Sequence, residues 1–429
     1  MKTVHSIPYG DHLVAVEIPA DALAGVLRAE PLPSERSEVE VVREALANPI
    51  ASSEMHELVQ KGDSVCILVG DMTRLWVRHH VFLPLLLDEL GRAGVRDDDV
   101  VIVSATGDHR EQTEEEHVRL VGEEVYSRVR IVDHHSRDEE NLVYMGHTRA
   151  GTPVKVNRVV AAADRVIATG GIVYHFLAGF GGGGKAVLPG VAGYETIMAN
   201  HSLALGREPG SGLSPRVVAG RLQGNPCYED IIAGASMVAP TFLLNVIVDE
   251  HRHRISLAVA GEMEAAHRVG CRLVEEHFQV GIEHRADLII ASAGGYPKDI
   301  DLYQTYKTVY NARRAAVDGG TLLIVSECGE GMGNDDFAAM FFDHDDDDER
   351  EAALREVFTI GGFMALHDRM MAAECDILLL SSLPEEQVTP TGMTPVSSVE
   401  DAMDIVRAKH GGVPPTYLIP YGSVFPAVR

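Results

Sequence analysis

From Gly170 to His201 the chain reads GGIVYHFLAGFGGGGKAVLPGVAGYETIMANH. His175 precedes four glycines (Gly181 to Gly184), Lys185 closes the run, and His201 lies within an expected helix from Tyr194 to Leu205. Glycines let a backbone approach a ligand closely, with N–H groups free to face anions. A lysine there can neutralise a phosphate or bond covalently to a cofactor. Imidazoles on either side offer a metal ligand or an acid/base group.

A phosphate loop of an NTPase is the first alternative. Gly179, Gly184 and Lys185 satisfy G-x-x-x-x-G-K, but Ala186 stands where Ser or Thr should hold magnesium. Pro189-Gly190 come where a helix should begin. The reading loses its metal ligand and its helix dipole together.

Other candidates cluster after apolar runs. Asp71-Met72-Thr73-Arg74 comes after SVCILVG, and its arginine fork suits a carboxylate or phosphate. Asp71 could bond a ribose or a backbone N–H, or simply cap the next helix. His109 comes after VVIVSATGD, a position suited to a general base. Gln304 and Lys307 in YQTYK lie one helical turn apart and can face one ligand, or form an exposed polar face. A single metal histidine such as His201 makes sense only if a cofactor supplies the other ligands.

These residues must be positioned by an α/β framework. Strands are expected at 64–70, 100–105, 129–132 and 165–169, with helices at 79–93 and 113–121 between them. That alternation predicts a mainly parallel, doubly wound sheet with ligands at the strand carboxyl ends. A strand pair is expected over 241–260 and a helix over 262–278. The rhythm restarts near residue 280, with strands at 287–293, 321–326 and 377–380, helices at 302–316 and 398–409, and a last apolar stretch at 417–425. This pattern predicts two α/β domains with mainly parallel sheets: 1–283 and 284–411, with 412–429 returning to the first. The run Asp343 to Glu349 (DHDDDDE) reads as a solvated acidic loop.

The 429 residues carry a formal net charge of -27, which repels nucleic acid and anionic membranes. The five cysteines are scattered without a CxxC and read as reduced thiols. With no secretory pattern at residues 1–20, a cytoplasmic location is expected. Oligomeric state is not legible.

The DMTR tetrad, GDHREQTEEE, GIVYHFLAGFGGGGKAVLPG, ANH and GGYPKDIDLYQTYK, in this order and spacing, resemble the nickel-pincer lactate racemase family. The resemblance implies two α/β domains with the active site in the cleft between them. It implies a pyridinium mononucleotide whose two sulfur groups grip nickel, tethered through Lys185, with His201 as the protein's nickel ligand. Asp71, Thr73, Gly170, Gly171, Gly182 and Tyr303 would hold the nucleotide. Arg74, Gln304 and Lys307 would bind the substrate carboxylate, and His109 and His175 would be the acid/base pair.

The implied reaction is racemisation or epimerisation at C2 of a 2-hydroxy acid, by hydride removal to the cofactor and return to the opposite face. Bases on both faces are what inversion in both directions requires. Enzymes that make the cofactor are the implied partners. A non-catalytic cofactor carrier would keep Lys185 and His201 but need no acid/base pair. The chain departs from the family where Ser commonly comes after Gly-Phe and Arg precedes the lysine; here these are Gly181 and Gly184. Leu75-Trp76 replaces a common proline after Arg74, which leaves lactate, dicarboxylates, aryl acids and sugar acids open as substrates.

Overall fold

The computed structural model describes residues 2–29, 32, 35–249 and 253–429. The chain divides into two compact units. One comprises Pro31–Gly206 and Ser214–His277, the other Met1–Glu30, Arg207–Leu213 and Phe278–Arg429. They are called the 31–277 and 278–429 units below.

The 31–277 unit is built on a six-stranded sheet. In spatial order its strands are Arg254–Gly261, Phe242–Asp249, Arg165–Gly171, Val65–Gly70, Val100–Ala105 and Arg130–Asp133. All neighbours are parallel except the antiparallel edge pair Phe242–Asp249 and Arg254–Gly261. The central strand Val65–Gly70 is apolar throughout because both faces are covered. Val65, Ile67 and Val69 pack into one core with Leu83, Leu86 and Ile167. Cys66 and Leu68 face the other, with Val103, Val166 and Ala168.

The helices form where sequence signals start them. Thr113 caps Glu114–Val121 through a capping box with Glu116. Asn225 caps Pro226–Val238, with proline in the first turn where its missing N–H is harmless.

The 278–429 unit has its own six-stranded parallel sheet. Its order is Thr394–Val396, Asp376–Leu380, Ala316–Val325, Ala286–Ser292, Thr416–Ile419 and Leu23–Val26. Its core joins Leu288, Ile290, Leu323 and Leu378 to Ile7, Val16 and Ile18 of the hairpin Lys2–Tyr9 and His12–Pro19.

Several sequence boundaries move. Residues 412–429 and the first strands belong with the 278–429 unit, not with the domain expected at 1–283. The reason is long-range pairing: Thr416 lies opposite Leu23, so the early strand completes the late sheet. The acidic run is not wholly loop. Asp346 caps the helix Asp347–Glu356, and the acids in its first turn face the favourable end of the helix dipole. Asp347 also meets Arg350 at 2.9 Å and Arg369 at 3.1 Å. All five cysteines are free and buried. Among the described residues no helix is long and apolar enough to cross a membrane.

Candidate active site

Strand order reverses between Val65–Gly70 and Arg165–Gly171. From the first, the chain builds outward to Val100–Ala105 and Arg130–Asp133; from the second, it builds the opposite way. Ligands of open α/β sheets bind at the carboxyl ends flanking such a point. The Asp71–Arg74 turn and the Gly170–Lys185 loop leave from these two ends.

Asp71 caps the short helical turn Met72–Val77 by accepting the Thr73 N–H at 2.9 Å. The same oxygen accepts the Thr73 hydroxyl at 2.5 Å, and Arg74 donates to that hydroxyl oxygen at 2.8 Å. The other Asp71 oxygen pairs with His109 Nδ1. Burial works to raise the Asp71 pKa. The bonds from His109 and Thr73, with the positive charge of Arg74, outweigh it and hold the carboxyl below its ordinary value. Asp71 is thus both a cap and the orienting group of an exposed histidine. His109 presents its remaining nitrogen, Nε2, from a side chain that is 52% exposed.

The glycines are shaped as much by the protein as for a ligand. Gly182 and Gly183 have φ of 76° and 58°, in the left-handed region. A Cβ on Gly183 would lie 2.6 Å from the His267 ring, and one on Gly182 would lie 2.6 Å from Asn245 Oδ1. Asn245 Oδ1 accepts the Gly183 N–H at 2.8 Å, and His267 Nε2 donates to the Gly181 carbonyl at 2.8 Å. The expectation of N–H groups free for an anion is therefore corrected at Gly183, whose donor serves Asn245. No α-helix forms after the loop until Tyr194–Ser202, so the phosphate-loop geometry is absent. Gly171 makes room for the Trp76 ring, which a Cβ would meet at 2.6 Å. Gly183→Ala combines left-handed strain with a ring clash and is expected to lower stability by about 2–4 kcal/mol, read from denaturant midpoints.

Lys185 and His175 meet at 3.0 Å between Nζ and Nε2. His175 Nδ1 accepts the N–H groups of Leu177 (3.1 Å) and Ala178 (3.3 Å). A neutral ring that accepts at Nδ1 carries its proton on Nε2. That proton points to the lysine nitrogen, which must then be an unprotonated amine. Electrostatics agree: burial, reinforced by the Arg74 charge, pulls Lys185 down to about 7, against a small opposing effect of Cys227. Part of the lysine chain stays accessible, but its amine sits among protein groups.

His201 is buried near the end of Tyr194–Ser202. Burial is the main cause that pushes it down to about 3, so it is neutral and able to give a lone pair to a metal. Among the described residues one trio of acidic and imidazole groups could surround an ion: Glu54, His56 and Glu89. None of the predicted residues belongs to it, and Arg92 already binds both Glu89 oxygens at 2.7 and 3.0 Å. His201 therefore fits a centre whose remaining ligands are not side chains.

Tyr303, Gln304 and Lys307 lie in the 278–429 unit on the helix Leu302–Arg313. Asp301 caps it by accepting the Gln304 N–H at 2.6 Å. Lys307 Nζ donates to Gln304 Oε1 at 2.9 Å, so the pair does share a face. Tyr303 packs edge-on against Phe337, and burial raises its pKa.

Sequence reasoning missed Asn245 and His267. Asn245 was detectable as the one amide in the apolar strand FLLNVIVD, aligned with Gly170 across the sheet. His267 carried no signal beyond its helix; only the folded loop shows its use.

Residues 9–213 match the lactate racemase N-terminal domain, and residues 282–424 the lactate racemase C-terminal domain. The chain is 32% identical over 412 residues to the lactate racemase of Thermoanaerobacterium thermosaccharolyticum, with 94% of each chain covered. It is 33% identical over 426 residues to that of Lactiplantibacillus plantarum, with 97% of each covered. The lactate racemase apoprotein structure from the former organism superposes with a TM-score of 0.88 at 32% identity over the whole of both chains. A Thermotoga maritima protein shares the fold at a TM-score of 0.65 and 18% identity, over 94% of this chain and 100% of that one. Such relatives support an isomerase of the racemase class. The chain belongs to the lactate racemase family.

Proposed function

We propose that this chain inverts C2 of a 2-hydroxy acid, with His109 and His175 as the acid/base pair and a nickel-pincer nucleotide attached at Lys185. The observation that carries the reading is the partly buried Lys185–His175 contact beside a neutral His201. A lysine amine kept unprotonated is a competent nucleophile for covalent attachment. A desolvated neutral imidazole is a competent nickel ligand. When bound, the nucleotide would supply the acceptor and donor of the C2 hydride.

The chain's own residues would do the rest. Arg74 would pair with the substrate carboxylate through its planar fork. The Gln304 side-chain NH2 and the Lys307 ammonium would add donors for a carboxylate. His109, held by Asp71 through Nδ1, would move the hydroxyl proton at Nε2 on one face. His175 would do so at Nε2 on the other, once Lys185 no longer occupies that nitrogen. Asp71, Thr73, Gly170, Gly171, Gly182 and Tyr303 would shape the nucleotide pocket.

The test is intact mass and nickel content after co-expression with enzymes that make the cofactor. The expected result is an added mass mapping to Lys185, stoichiometric nickel, and racemisation of one member of a panel of chiral 2-hydroxy acids that includes lactate. Protein that stays unmodified and nickel-free beside active cofactor synthesis would reject the proposal.

A further inference from the structure

Gln112 lies three residues after His109, in the loop between Val100–Ala105 and Glu114–Val121. Its carboxamide bonds in three directions at once. Oε1 accepts the Met72 N–H at 2.7 Å. Nε2 donates to Ser104 Oγ at 2.6 Å and to Asp133 Oδ1 at 3.0 Å. Its backbone N–H donates to Asp133 Oδ2 at 2.8 Å, and His117 Nε2 donates to Asp133 Oδ1 at 2.8 Å. The amide orientation is unambiguous. Reversed, it would set an NH2 against the Met72 N–H and a carbonyl against the Asp133 carboxylate.

The partners sit at different strands. Met72 lies just beyond Val65–Gly70, Ser104 lies within Val100–Ala105, and Asp133 ends Arg130–Asp133. Met72 is also the residue between Asp71 and Thr73, so the clamp fixes the turn whose carboxylate holds His109. The same side chain fixes the His109 loop from its far end. A residue off the reacting atoms can thus set both members of the Asp71–His109 pair, and misplacing such a pair by about 1 Å lowers rate strongly.

We propose that Gln112 is the positioning residue of the Asp71–His109 pair, anchored by Asp133. The inference rests on the reading of His109 as an acid/base group.

The test is a swap: Gln112→Glu, Asp133→Asn, and both together. Gln112→Glu sets two carboxylates against each other, and Asp133→Asn sets its NH2 against either the Gln112 side-chain NH2 or the Gln112 backbone N–H. The double variant restores a donor facing an acceptor. Two readouts are taken: kcat and KM of the holoenzyme, and the ¹⁵N imidazole signals of His109 in the full cofactor-free chain. Each single variant is expected to lose about tenfold or more in kcat, with a smaller change in KM. Each should also disturb the His109 signals, and the double variant should recover both readouts. A double variant no better than the worse single one, or single variants that lose thermal stability with His109 signals unchanged, would overturn the proposal. If a single variant does not fold, the double variant decides the matter alone. A wild-type chain without racemase activity would remove the proposed function, while the His109 signals would still report on the clamp.

Discussion

Replacing His109 by alanine is expected to lower kcat for racemisation roughly 10²–10⁴-fold and to leave nickel and the mass on Lys185 in place. The size reflects removal of an acid/base group whose ring is already oriented. Asp71 holds Nδ1, and the working nitrogen is Nε2 on a half-exposed side chain. The separation of effects reflects placement. Lys185 and His201 reach their partners without His109, through His175 and the end of Tyr194–Ser202. Asp71→Asn makes a sharper version. It can keep the cap on Thr73 but presents an N–H where a carboxylate faced His109, favouring the wrong tautomer. A His109→Ala protein that loses its nickel, or that racemises at the wild-type rate, would show that the residue has another role.

Lys185→Met should raise the stability of the cofactor-free protein at pH 7, by on the order of 2 kcal/mol, and remove a slope in stability at alkaline pH. The sign comes from counting protons. The free amine titrates near 10.5, and in the fold it titrates at about 7. Between those values the unfolded chain binds a proton that the native chain does not. Wild-type stability therefore rises with pH across this window, and the penalty is largest below it. Methionine fills a similar volume and has no charge to desolvate. Urea midpoints of both proteins from pH 6.5 to 10 would measure the difference, which should shrink as pH rises. A difference that stays constant would mean that Lys185 is not desolvated in the fold. The same strain is useful in the proposed function, because attachment through Lys185 converts a destabilising amine into a neutral link.

Much of this site was legible because parallel strands buried on both faces announce themselves. SVCILVG and VVIVSA are unbroken apolar runs, so the residues just beyond them, from Asp71 and from Thr106, stand at a carboxyl edge. The local pairs could also be anticipated: Gln304 with Lys307 by helical spacing, Asp71 as a cap by its position before Thr73. The rest depends on distance in sequence. Nothing near Gly183 says that its N–H will meet Asn245, or that Leu23 will face Thr416. The hairpin strand Lys2–Tyr9 shows no clean apolar alternation, because Val4 lies on the exposed face while His5 shares the inner face with Ile7. The glycine run looked like an anion cradle, yet part of its demand for glycine comes from the His267 ring and the Asn245 amide.

The pairing of Leu23–Val26 with Thr416–Ile419 also sets an order of events on the ribosome. Domains often fold as they emerge, amino end first. Here the strands before residue 31 leave the exit tunnel ahead of the 31–277 segment, yet they belong to the unit whose partner strand Thr416–Ile419 is translated after it. The 31–277 segment can assemble its sheet while the hairpin before it waits with Ile7, Val16 and Ile18 uncovered. A nascent chain stalled after residue 300 would be half finished in an unusual sense: complete in its middle and open at its start.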